Sequence, residues 1–158
     1  EAAKLAKEGK AKEEILEAVK FYLDNIQHVF TVDDLEYLFR GGRVSKTQAF
    51  VGGLLNIKPV LNVEDGKLVA LEKVRGKNKV YKVMLKIMEE RAKKADLTTQ
   101  VVGICHADNI KDASKLKEII SEKFGTKDFV IGEIGAVIGA HVGPGTIGIF
   151  FLEKNYLK

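Results

Sequence analysis

His141 stands in the stretch Ile-Gly-Ala-His-Val-Gly-Pro-Gly-Thr (138–146), with no acid, cysteine or second histidine near it in sequence to complete a metal or hydrolase site. An imidazole beside a Gly-Pro-Gly corner and the Thr146 hydroxyl gathers several donors in a small volume, which is what gripping a carboxylate or phosphate head group requires. The competing reading is a core histidine satisfied by a backbone carbonyl, which composition alone favours. A second cluster, Cys105-His106-Ala107-Asp108-Asn109, falls at the expected C-terminal end of a strand, the edge at which open α/β sheets bind ligands. One cysteine without a spaced histidine partner makes a poor metal set, and Asp108 or Asn109 capping the next helix accounts for the polar residues without any function.

A third cluster, Gly41-Gly42-Arg43-Val44-Ser45-Lys46-Thr47, invites comparison with the phosphate loop G-x-x-x-x-G-K-S/T. The comparison fails, because Ser45 rather than glycine precedes Lys46 and a helix-like Leu-Glu-Tyr-Leu-Phe-Arg precedes the glycines. What survives is an anion site in which Arg43 and Lys46 flank a helix N-terminus capped by Ser45, where free N–H groups and the dipole favour negative charge. A plain turn and cap is the alternative. Ser45, His141 and Asp108 assemble into a hydrolase triad on paper, but no Gly-x-Ser-x-Gly elbow exposes the serine.

The elements that must position these clusters follow from periodicity. The spacing of Ile15, Val19, Tyr22, Leu23 and Ile26 predicts a helix over about Lys12 to Gln27. A strand from His28 to Val32, a brief helix Asp-Leu-Glu-Tyr-Leu-Phe-Arg stopped at Gly41 and Gly42, and a helix over about Lys46 to Asn56 come next. Asp65-Gly66 marks a tight hairpin, with Pro59 placing its first strand at an edge or beside a bulge. Val80, Met84, Ile87, Met88 and Arg91 share a helical stripe over Asn78 to Lys94, and Ala113, Leu116, Ile119, Ile120 and Phe124 share another. Between and after them the runs ending at His106, from Asp128 to Ile134, from Val137 to His141 and from Thr146 to Leu152 read as strands, the last two joined at Gly-Pro-Gly. A strand–helix–strand unit over 99–134 implies one parallel crossover while the hairpins demand antiparallel pairing. The expected class is therefore α/β, or α+β, with helices packed on a mixed sheet.

The 158 residues suit one domain, and 46% hydrophobic with 30% charged residues is the balance of an ordinary globular protein. No apolar run approaches the roughly 20 residues that span a bilayer, and the first residues lack the parts of a secretory signal, so a cytoplasmic location is expected. The net charge of +4 resides mostly in lysines on helices that also carry glutamates, and no aromatic-interleaved basic run exists for stacking bases, which argues against nucleic acid. The single Cys105 lies in an apolar run and reads as a reduced, buried thiol. Neither a metal nor a cofactor is indicated. The chain opens without a methionine inside a helical stretch, from which a piece of something longer is expected.

Three stretches taken in order, Leu35 to Leu68, His106 to Asn109 and Ile138 to Phe151, resemble the C-terminal portion of the DegV family of bacterial fatty-acid-binding proteins. The resemblance runs from about Thr31 onward, and the pairing of Gly-Gly-Arg-Val-Ser-Lys with His-Val-Gly-Pro-Gly-Thr is specific. It implies a C-terminal lipid-binding domain over 28–158, preceded over 1–27 by helices that end, or link to, a missing N-terminal domain. It further implies a non-enzymatic carrier that holds one long-chain fatty acid between two domains and presents it to a fatty acid kinase. In the family, hydroxyl residues of the N-terminal domain grip the carboxylate with help from the histidine of His-x-Gly-Pro-Gly. Here that histidine is His141, with Gly143, Gly145 and Thr146 as the rest of the head-group corner. Apolar positions with no surface pattern are candidates for the acyl tunnel: Phe50, Leu54, Leu55 and Ile57 in the first half, and Ile104, Val137, Ile138 and Ile149 in the second. Arg43, Ser45, Lys46 and Arg75 are candidates for a partner or anion surface, since a basic rim would steer the carrier onto an acidic kinase surface. Two rival readings are a phosphate-binding enzyme domain built on Arg43, Ser45 and Lys46, and a non-catalytic interaction module.

Overall fold

A computed structural model describes residues 1–44 and 57–156. The chain begins with two helices, α1 (Ala2–Lys7) and α2 (Lys12–Asn25), and enters strand β1 (Ile26–Thr31). A short α3 (Leu35–Arg40) follows, then a hairpin of β2 (Ile57–Glu64) and β3 (Lys67–Arg75). The second half alternates: α4 (Lys77–Arg91), β4 (Val101–His106), α5 (Ile110–Phe124), β5 (Asp128–Glu133), α6 (Ala136–Val142) and β6 (Ile147–Leu152). The helix expected over 46–56 lies outside the described residues.

The strands form one mixed six-stranded sheet in the order β3-β2-β1-β6-β4-β5. β4 and β5 are the parallel pair joined through α5, and every other pairing is antiparallel, as the alternation of hairpin and crossover signals predicts. Asp65 and Gly66 both take positive φ (49° and 73°), the left-handed pair that a two-residue hairpin needs to match strand twist. Pro59 sits on a strand that is not an edge. β2 pairs with β1 only at Val60 and Leu61, just beyond the proline, and the β2–β3 register slips between those same residues. The missing proline N–H therefore falls outside the β1 ladder, beside the irregularity the sequence foretells.

Alternate residues of the central strands bury on opposite faces. Val29, Val102, Ile104, Ile147, Ile149 and Phe151 pack against the apolar stripes of α4 (Val80, Met84, Met88) and α5 (Ala113, Leu116, Ile120). Each of these side chains larger than alanine contributes roughly 1.5–3 kcal/mol on full burial. The opposite face carries a smaller cluster of Val32, Leu38, Leu61 and Val142, with Phe30, Leu35 and Ile134 against it, beneath α3 and α6.

Two expectations need correction. The run Val137 to His141 is not a strand: Gly135 caps and Gly143, with φ +75°, closes a helix whose Gly139 and Gly143 N–H groups donate to the carbonyls of Gly135 and Gly139 at 2.8 Å. A short apolar run has no period long enough to separate strand from helix, and here the bounding glycines decide. The α2 stripe is only partly covered. Ala18 is buried and Ile15, Val19 and Tyr22 are half-buried, but Leu23 is 72% exposed.

Candidate functional site

The C-terminal ends of β1 and β4 and the start of β6 point to the same end of the sheet, because Thr31 pairs with Ile147 and Ile147 with His106. The three motif clusters meet there. α3 leaves β1 through Asp34, whose carboxylate accepts the Glu36 N–H at 2.8 Å, and ends at Gly41 and Gly42. The Arg43 N–H returns to the Leu38 carbonyl, and the Arg43 guanidinium donates to the Gly41 carbonyl at 2.7 Å. Against this turn lies His141, in the last turn of α6. Any Cβ on Gly41 would overlap the imidazole Nδ1 and stand 3.0 Å from its Cγ, so glycine leaves room for the ring where it lies, its φ of −75° being ordinary. Nδ1 is buried and has no hydrogen-bond partner among the described residues. Leaving such an atom unmatched costs about 1–3 kcal/mol, and the Thr31 hydroxyl is buried without a partner in the same way.

The Gly-Pro-Gly corner is held just as closely. Gly143 packs on the Tyr37 ring, where a Cβ would come within 2.5 Å of Cδ2, and Gly145 packs on Asp33, whose Cβ an added Cβ would approach to 2.9 Å. The Asp33 carboxylate is paired with Lys58 at 3.0 Å. Gly143 donates its N–H to Gly139, Gly145 to the Ala107 carbonyl at 2.8 Å, and the buried Thr146 hydroxyl to the Val142 carbonyl at 2.9 Å. Of the four residues expected at the head group, Gly143, Gly145 and Thr146 thus direct these donors to the protein, and the His141 nitrogen alone is left without a partner.

The cluster His106 to Asn109 belongs to the same corner, though not as a helix cap. Asn109 occupies the N-cap position of α5 but makes no side-chain cap bond. Its amide reaches across to the Gly145 carbonyl at 3.1 Å, and its backbone N–H donates to His106 Nδ1 at 3.3 Å. Asp108 is exposed and takes a left-handed φ of 47° to make this turn. Cys105 is half-buried, and burial pushes its thiol above the usual range, which keeps it protonated and unreactive. Among the described residues no three His, Cys, Asp or Glu side chains stand together as a metal set.

The remaining candidates scatter. Ile104 and Ile149 are 1% and 0% exposed within the α4–α5 core, Ile57 is half-buried at the start of β2, and Phe50, Leu54, Leu55, Ser45 and Lys46 lie outside the described residues. Val137 and Ile138 are 82% and 61% exposed on α6, the helix that carries His141. Arg75 is exposed at the end of β3, opposite Ile57, and so shares the sheet end with His141. Its neighbour Lys77 is paired with Asp112 of α5, an acid distant in sequence. At the other end of the sheet a cleft of about 660 Å³ is lined by Asp24, Gln27, His28, Glu64, Arg91 and Glu153, among others.

The family model described as DegV matches residues 1–154, and so takes in α1 and α2, upstream of the Thr31 boundary expected from the sequence. A DegV domain-containing protein of Clostridium perfringens is 43% identical over 152 residues, covering 96% of this chain and 52% of its own. A fatty-acid-binding DegV family protein from Thermus thermophilus superposes with a TM-score of 0.80 at 32% identity over 94% of this chain and 53% of its own. The Fatty Acid Kinase (Fak) B3 protein of Streptococcus pneumoniae, loaded with linoleic acid, superposes with a TM-score of 0.86 at 25% identity over 97% of this chain and 53% of its own. The chain spans about half the length of the curated relatives it matches.

Proposed function

This chain belongs to the DegV family, and from that premise we propose that it is the C-terminal half of a two-domain carrier that binds one long-chain fatty acid and presents it to a fatty acid kinase, performing no chemistry of its own. The observation that carries the proposal is the buried, unpartnered Nδ1 of His141 in a corner that also holds the Arg43 guanidinium. A carboxylate head group would supply the missing partner once the ring turns Nδ1 away from the Gly41 surface on which it packs, with Arg43 balancing its charge. The acyl tail would then supply affinity, about 0.8 kcal/mol per methylene removed from water. Ile104 and Ile149 have no free surface for a ligand. The exposed Val137 and Ile138 are the better wall, facing a passage closed on its other side by the N-terminal half. The uncovered stripe of α2 would pack on that half as well. Relatives of the same fold hold linoleic acid or are described as binding fatty acid, which supports the same ligand class here.

Native mass spectrometry of the two-domain protein purified from cells is expected to show one long-chain fatty acid per chain, recoverable by organic extraction. A protein free of lipid that instead turns over a phosphorylated substrate would overturn the reading in favour of an anion-binding enzyme. Within the carrier, His141→Ala is expected to weaken fatty-acid binding by about 1–3 kcal/mol, the range for losing a hydrogen bond to a charged group. Unchanged affinity would return His141 to a structural role.

The kinase-docking part rests on the basic rim at the same end of the sheet, where Lys73, Arg75 and Lys79 are exposed. A double substitution, Arg75→Glu with Lys79→Glu, is expected to slow acyl-phosphate formation by the cognate kinase, most strongly at low ionic strength, while fatty-acid affinity holds. Arg43, expected from sequence to serve the same surface, is exposed but bonds the Gly41 carbonyl beside His141, so a substitution there would mix docking with head-group binding. Kinetics unaffected at low salt would remove the rim from the docking surface.

A further inference from the structure

In the Gly-Pro-Gly corner the proline fixes its own φ, and the conformational freedom lies in the two glycines. Gly143 and Gly145 both take positive φ (75° and 82°), where glycine is free to move, and the proline between them has no N–H to anchor it. Its shape is therefore set by ties from outside. Two of them are backbone bonds to one residue of the β4–α5 turn, Gly145 N–H to the Ala107 carbonyl and Ala107 N–H to the Thr146 carbonyl, at 2.8 and 3.0 Å. A third comes from a side chain, the Asn109 amide donating to the Gly145 carbonyl.

Asn109 stands where a helix N-cap ordinarily folds its side chain back onto its own helix, and its side chain makes no such bond. Beside it a polar cluster joins α4 to α5. The Tyr81 hydroxyl donates to Asp112 at 3.0 Å, Lys77 pairs with the same carboxylate, and the Asn109 amide lies close enough to influence the ionisation of both Tyr81 and Asp112. Burial alone would raise the Asp112 carboxyl, but hydrogen bonds from Lys77 and Tyr81 outweigh it and hold the group below the usual range. The cluster thus keeps a charged acceptor at the base of α5, and the asparagine amide is turned to the corner above it.

We propose that Asn109 is a positioning residue for the head-group site: by holding the Gly145 carbonyl it fixes the glycine-flanked corner and, through the end of α6, the placement of His141. The inference rests on the carrier reading, and deepens it by assigning a specificity role to a residue on a different element from the imidazole. Its signature is discrimination between ligands that differ only at the head group. A misplaced His141 weakens the grip on a carboxylate but leaves the acyl wall as it was.

The test compares binding of palmitic acid and of its alcohol, cetyl alcohol, to the two-domain protein and its variants by titration calorimetry at constant pH. Asn109→Ala is expected to weaken palmitic acid about tenfold while leaving cetyl alcohol within twofold, with Asn109→Ser intermediate. Tyr81→Phe, which loosens the cluster but keeps the amide, should lie between the parent and Asn109→Ala. Equal losses for acid and alcohol, or no loss for either, would overturn the positioning role. If Asn109→Ala does not fold, the Asn109→Ser and Tyr81→Phe ratios decide on the same terms. A parent protein that binds neither ligand would instead bring down the carrier reading itself.

Discussion

Gly145→Ala is expected to destabilise the protein by about 2–4 kcal/mol. Two costs add. At φ +82° an L side chain meets its own backbone, which costs roughly 1–2 kcal/mol. The new methyl would also approach the Asp33 Cβ to 2.9 Å and overlap its carboxyl, and a forced overlap of this kind costs typically 1–3 kcal/mol. Asp33 has limited freedom to give way, because its carboxylate is paired with Lys58. Two other glycines separate the costs. Gly42 has φ +69° with open space around it, so Gly42→Ala should show the backbone cost alone. Gly132 has ordinary φ and open space, and Gly132→Ala should be near neutral. Urea denaturation of the series should give midpoints in the order Gly132→Ala, Gly42→Ala, Gly145→Ala with a common slope. A Gly145→Ala midpoint no lower than that of Gly42→Ala would mean that the contact with Asp33 is not what holds the corner.

How far the sequence could be read depended on whether the determining contact was local. The Asp65-Gly66 hairpin, the α4 and α5 stripes and the parallel crossover between β4 and β5 are each written in periods or turn residues of a single segment, and each is found. The run from Val137 to His141 carries β-branched residues without a resolvable period, and its helical state depends on the glycines around it. The site was legible as three motifs but not as one place. That Gly41 is shaped by His141, Gly143 by Tyr37 and Gly145 by Asp33 depends on residues up to 112 positions apart in the chain, and a glycine chosen for space looks in sequence like a glycine chosen for a turn. Asn109 is the N-cap of α5 as expected, but its side chain does not cap, for a related reason. Its type and position fit a helix cap, and only the fold reveals that the Gly145 carbonyl lies within its reach. The basic run Lys73 to Lys82 likewise contains no acid in sequence, yet in space Asp112 takes up one of its charges.

The contact between Gly41 and His141 gives a test of the head-group reading that leaves the imidazole chemically intact. At φ −75° alanine fits the Gly41 backbone without strain, so the whole effect of Gly41→Ala passes through the ring that its methyl would overlap. His141 must swing away, and Nδ1 leaves the corner in which it lacks a protein partner. If that nitrogen holds the carboxylate, Gly41→Ala should weaken fatty-acid binding about as much as His141→Ala, on the order of 1–3 kcal/mol, or roughly 5- to 150-fold in affinity. The decisive measurement is the double-mutant cycle. Once His141 is alanine the methyl at position 41 has no ring to displace, so Gly41→Ala should be nearly silent in that background, and the coupling energy should approach the whole of the single-mutant effect. Losses that add would mean that Gly41 and His141 act on binding by separate routes, for instance through the neighbouring Arg43 guanidinium, which bonds the Gly41 carbonyl. In that event the head group would be assigned to Arg43, and the orphaned imidazole nitrogen would no longer carry the functional argument.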